Sequence, residues 1–137
     1  MIFHDSQADF YRSPFGAVSS RQDILLRLEV DKKIQAKEVT LRLWQDGAGE
    51  KKLPMELFEK RANGAIYQVR FSAPKKPCLL WYYFIVDDGS SLLYYGNQPD
   101  TLGGMGQVYL EEPPSYQITV YKEGAVTPDW FKESVMY

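Results

Sequence analysis

Four aromatic side chains are the residues best suited to chemistry in this sequence: Trp44, Trp81, Tyr94 and Tyr95. A sugar ring offers C–H faces that lie flat on an indole or phenol, while its hydroxyls bond polar neighbours, so exposed aromatics are what a glycan site requires. Trp44 falls on the outer side of an alternating run, with Val39, Leu41 and Leu43 inward and Thr40, Arg42 and Trp44 outward. Tyr94 and Tyr95 read equally as contact residues, for ligand or for another domain, and as packing. Trp81 stands among Tyr82, Tyr83 and Phe84, where core packing is the first reading. It is kept as a fourth candidate for the same contact.

Other chemistries lack their partners. His4 is the sole histidine, expected at the surface or at an edge, and no second histidine or cysteine stands ready to build a nucleophilic site with it. The carboxylates Asp87-Asp88 and Glu111-Glu112 are sequence neighbours, whereas a two-carboxylate glycosidase needs its groups on opposite sides of one bond. Gly103, Gly104 and Gly106 resemble a phosphate cradle, but no helix follows for such a loop to open. Cys78 is the only cysteine, so no internal disulfide and no cysteine metal cluster is expected.

Composition narrows the classes. The chain has 137 residues, 45% of them hydrophobic and 25% charged, enough for one domain with a real core. Sixteen basic and 18 acidic residues give a net charge of −2 without a basic patch, which argues against nucleic acid as a partner. No run approaches the ~18 apolar residues of a membrane helix. The opening MIFHDSQADFYR is unlike a secretory signal, so a cytoplasmic location is expected if Met1 is the native start.

The elements that must position the aromatics are strands. Cys78–Asp87 is a run of strand formers, apolar on both faces, that predicts a central strand covered on both sides. Asp88-Gly89 turns it into a second strand through Tyr95. Gln22–Val30 and Glu38–Gln45 alternate as half-buried strands, and Ser13–Ala17 reads as a turn into a short strand. Lys51–Glu59 reads as one edge strand, with Leu53, Met55 and Leu57 on one side and Pro54 unable to donate to a ladder. Asn63-Gly64 signals a hairpin, Tyr67, Val69 and Phe71 the next inward face, and Tyr116–Tyr121 the last strand. Gly96–Gln107, with four glycines, reads as loop. Seven or eight strands and no useful amphipathic helix predict an all-β antiparallel sandwich over residues 1–122. Thr127-Pro128-Asp129 reads as a helix start, and the apolar run ending at Tyr137 as a strand just opening, so residues 123–137 are expected to be a linker and the first residues of a second, truncated domain.

Three stretches together resemble the amino-terminal immunoglobulin-like domain of α-amylase-superfamily enzymes of the neopullulanase, cyclomaltodextrinase and maltogenic amylase group. They are YRSPFGAV at Tyr11–Val18, the WYYF strand leading to Tyr95-Gly96-Asn97 and the GGMG loop, and PDWFKESVMY at Pro128–Tyr137. In that group a P-x-W segment precedes the first strand of the catalytic (β/α)₈ barrel, which makes Pro128, Asp129 and Trp130 a domain-junction motif. The resemblance implies an immunoglobulin-like, starch-binding-like accessory module of a retaining α-glucan hydrolase or transglycosylase. Its catalytic carboxylates would lie on the barrel, so this chain is expected to hold no catalytic residue and no cofactor. Implied partners are the chain's own barrel, an α-glucan and a second copy in a homodimer. Some members bind calcium in this domain, but Asp87, Asp88 and Asp100 lack the dense spacing of a calcium loop, so no metal is expected. The alternative is an immunoglobulin-like interaction or structural domain with no sugar role.

Overall fold

Strands that alternate apolar and polar residues must close their apolar faces on one another, and here two sheets do so. The computed structural model describes residues 2–14, 16–100 and 103–121. In chain order the strands are β1 (Ile2–Phe3), β2 (Arg12–Ser13), β3 (Val18–Ser19), β4 (Asp23–Asp31), β5 (Glu38–Gln45), β6 (Gly49–Pro54), β7 (Glu56–Arg61), β8 (Gly64–Ser72), β9 (Cys78–Asp87), β10 (Leu92–Gly96), β11 (Gln107–Tyr109) and β12 (Tyr116–Tyr121). Lys32–Ile34 forms a single 3₁₀ turn.

The first sheet runs β1-β4-β8-β7, with β2 continuing β1 along the same edge of β4. In the second, β9 is central: β5 takes one edge and carries β6, while β12 and β10 share the other. β11 extends β10, and β3 pairs in parallel with β12. The amino-terminal strand thus bonds first to one sheet and then crosses to the other, an immunoglobulin-like arrangement. That one parallel pair is a departure from an all-antiparallel sandwich.

The core lies between the sheets. Ile24, Leu26, Leu28 and Val30 of β4 join Val39, Leu41 and Leu43 of β5, Leu80, Tyr82, Phe84 and Val86 of β9, and Tyr116, Ile118 and Val120 of β12 in one buried cluster. These are the inward faces that period-two alternation predicts. β9 is central as expected, but its outer face is only partly covered: Tyr83 is buried, whereas Trp81 and Ile85 are half-exposed.

Several expectations need correcting. Lys51–Glu59 is two strands, not one. The chain leaves the second sheet after Pro54, passes through buried Met55, and joins the first sheet at Glu56. Leu57 is therefore 47% exposed rather than inward. Alternation continues through such a crossover, so periodicity alone cannot reveal it. Among the described residues the strand count rises to twelve, because of this split and because β1, β2 and β11 are two or three residues long.

His4 is not at the surface. It is fully buried between β1 and β2, among Tyr82, Phe84 and Tyr116. Its Nδ1 lies 2.8 Å from the Arg27 carbonyl, and its Nε2 lies 2.9 Å from the Tyr82 hydroxyl. A carbonyl can only accept, so Nδ1 carries the proton and the Tyr82 hydroxyl donates to Nε2.

Candidate contact face

Alternation along β5 and β9 sends every second side chain to the outer face of the second sheet. The antiparallel register sets Trp44 directly opposite Trp81, and Arg42 opposite Tyr83. The same row continues outward to Glu50 on β6 and Gln117 on β12. Directly opposed side chains are the unit of contact on a sheet face, so the two indoles are neighbours by construction.

Asp46, in the turn after β5, gathers the pair. Its Oδ1 accepts from the Trp44 and Trp81 indole N–H groups, each at 3.2 Å. An indole nitrogen is a donor only, so both polar handles are satisfied and the two rings are tied to one carboxylate. Trp44 remains 38% exposed. The Arg42 guanidinium lies 5.4 Å from the Trp44 ring centroid and 5.1 Å from that of Tyr83, and its Nε donates to Glu50 at 2.7 Å. That bond holds the Glu50 carboxyl below the usual carboxylate range.

Tyr83 donates to Glu112 at 3.1 Å, and burial foremost pushes its phenol up to about 12. Tyr94 sets its ring edge against Tyr83, with centroids 6.0 Å apart. These shifts carry groups away from neutrality, which suits a binding surface better than proton transfer.

Of the four aromatic candidates, the structure brings Trp44 and Trp81 together and places Tyr94 further along the same face, half-buried. Tyr95 is corrected: it points inward, is 1% exposed, donates to the His4 carbonyl at 2.8 Å and accepts from the Gly106 N–H at 2.8 Å. It is a core residue, because the next position along β10 faces the opposite side from Tyr94. Pro128, Asp129 and Trp130 lie outside the described residues. Asp46 and Arg42 carry much of the face's order, and of the two alternation places Arg42, on the outer side with Trp44.

The remaining polar motifs have structural work. Asp87 accepts from the Gly89 N–H and Asp88 from those of Ser90 and Ser91, each at 2.8 Å, which builds the β9–β10 turn around Gly89 at φ +93°. In the glycine-rich loop the N–H groups of Gly103, Gly104 and Gly106 donate to Asn97, Ser6 and Tyr95. A phosphate cradle needs such groups free, and here they are spent. Among the described residues no group of three or more His, Cys, Asp and Glu is placed to hold a metal ion.

The fold and this face define a class: an immunoglobulin-like β-sandwich with an ordered aromatic outer face. No family model matches the chain. It is 34% identical, over 98% of its length, to amylopullulanase of Thermoanaerobacter thermohydrosulfuricus, and 34% and 33% identical over the same share to the amylopullulanases of Thermoanaerobacterium thermosulfurigenes and Thermoanaerobacterium saccharolyticum. The chain spans only 9%, 7% and 11% of those proteins. Among solved structures it is similar to a cyclomaltodextrinase, with a TM-score of 0.60 at 10% identity, over 85% of this chain and 18% of that one. It is also similar to an uncharacterised protein of Listeria monocytogenes, with a TM-score of 0.57 at 13% identity over 85% of this chain and 10% of the other. These two matches speak for the fold. The chain is homologous to a short segment of amylopullulanases, and it folds as a β-sandwich.

Proposed function

We propose that this chain is the non-catalytic accessory domain of an α-glucan-degrading enzyme and that it contacts α-glucan through Trp44, Trp81 and their shared carboxylate Asp46. The observation that carries this reading is the register that opposes the two tryptophans, with both indole N–H groups on one oxygen. Fixed rings lose little entropy when a sugar docks, and Arg42, Glu50 and Gln117 supply donors and acceptors around them. Catalysis, by hydrolysis or transfer with retention, falls to other parts of the parent enzyme, beside which this domain sits. Positioning of the catalytic barrel, or assembly of a homodimer in the cytoplasm, is the second role this reading allows. The half-exposed outer face of β9 favours a contact there of one kind or another.

The test is a titration with maltoheptaose and with β-cyclodextrin, followed by tryptophan emission. Binding is expected near the millimolar range, about 4 kcal/mol, as suits one small open face. Trp44→Ala is expected to weaken it about tenfold. Asp46→Ala, which releases both indoles, should weaken it several-fold while leaving the sandwich folded. An unchanged affinity in Trp44→Ala would remove the face from the account and leave the scaffold role.

A further inference from the structure

Next to the aromatic face, at the start of β12, lies an open cavity of about 700 Å³ that Arg12 helps to line. Arg12 is 7% exposed, and its Nε is buried without any hydrogen-bond partner. Its Nη2 donates to the Gly16 carbonyl at 3.0 Å, but among the described residues no carboxylate lies within ion-pair distance of it. A buried cation without a carboxylate partner is costly unless an anion supplies one, and the part of Arg12 that borders the cavity is where such an anion would meet it. Asn97, Ser115, Gln117 and Trp81 line the same cavity. Amide and hydroxyl groups next to an aromatic wall suit a hydroxylated ring, and the volume is that of a small-molecule site.

We propose that this cavity binds an anion carried on a sugar-sized body, a phosphorylated or carboxylated monosaccharide, with Arg12 meeting the anionic group and the Trp81 side meeting the ring. The site borders the glucan face and shares Trp81 and Gln117 with it, but it is read by charge, which a neutral glucan lacks.

Four probes are titrated into the chain and followed by amide and side-chain resonances of Asn97 and Ser115: glucose 6-phosphate, glucuronate, inorganic phosphate and maltose. Saturable shifts with glucose 6-phosphate or glucuronate, at least about tenfold tighter than with inorganic phosphate or maltose, are the expected result. Arg12→Gln should abolish them. Because Arg12 also ties down Gly16 and its replacement can cost folding, Gln117→Glu, at an exposed position, is the second variant. It should weaken the anionic sugars by like-charge repulsion. Equal binding of inorganic phosphate would mean an anion site without sugar recognition and would overturn the proposal. Equal binding of maltose at Asn97 and Ser115, binding that survives Gln117→Glu unweakened, or no binding of any probe, would each overturn the proposal.

Discussion

Lowering the pH from 6.5 to 4 is expected to remove about 3 kcal/mol of folding stability through His4 alone. Burial is the main reason: it drives the imidazole pKa down to about 3, with the nearby Arg12 cation pushing the same way and the Arg27 carbonyl opposing. Between about 3 and 6.5 the unfolded chain takes up a proton at this residue and the folded one does not, so stability rises with pH in that window. The contribution is therefore complete above pH 6.5 and is lost as the pH falls towards the folded value. A proton on Nε2 would also turn it into a donor facing the Tyr82 hydroxyl, at 2.9 Å. Urea unfolding at pH 7, 6, 5 and 4 measures this. The folding constant should fall about tenfold per pH unit below 6. In His4→Gln, whose amide carries no titrating proton, the slope between pH 6 and 5 should flatten. Equal slopes in the two proteins would mean that His4 titrates normally and that its burial is wrong.

Gly106→Ala is expected to cost about 3 kcal/mol, near the upper end of what overpacking does. A Cβ there would overlap the Gly96 carbonyl and the Tyr116 hydroxyl and come within 2.9 Å of the Tyr95 ring. None of the three can give way: one is backbone, and both tyrosines are 1% exposed. The same loop bonds the amino-terminal segment, since Gly104 exchanges bonds with Ser6 through the Ser6 N–H, the Ser6 hydroxyl and its own N–H and carbonyl. The loss should therefore spread from the loop to His4. Gly47→Ala is the control: its φ of +86° strains a side chain, but the space around it is open, so about 1 kcal/mol is expected. Thermal melting of both variants reads the difference. Equal losses would show that the loop is not docked as described.

The inward faces were legible because a half-buried strand must alternate, and Ile24 to Val30 and Val39 to Leu43 do so without interruption. Trp44's outward direction followed from the same period. Its pairing did not, because Trp81 meets Asp46 from 35 residues away, at a register the sandwich sets and no local pattern records. Tyr94 and Tyr95 looked alike in sequence, and only the side of β10 on which each stands separates a face residue from a core one. His4 was illegible for a similar reason: its partner Tyr82 is 78 residues distant. The burial of Arg12 gave no signal, since a charged residue in a two-residue strand reads as surface.

The chain has three tryptophans, so emission alone cannot say which of them meets sugar. The indole N–H resonances can. In a ¹H–¹⁵N spectrum of the chain titrated with maltoheptaose, the Trp44 and Trp81 indole signals should move together along one binding curve, with cellohexaose without effect. Maltoheptaose that leaves the Trp44 and Trp81 signals in place, up to concentrations of tens of millimolar (roughly ten times the expected dissociation constant), would contradict a glucan-contact face on this sandwich.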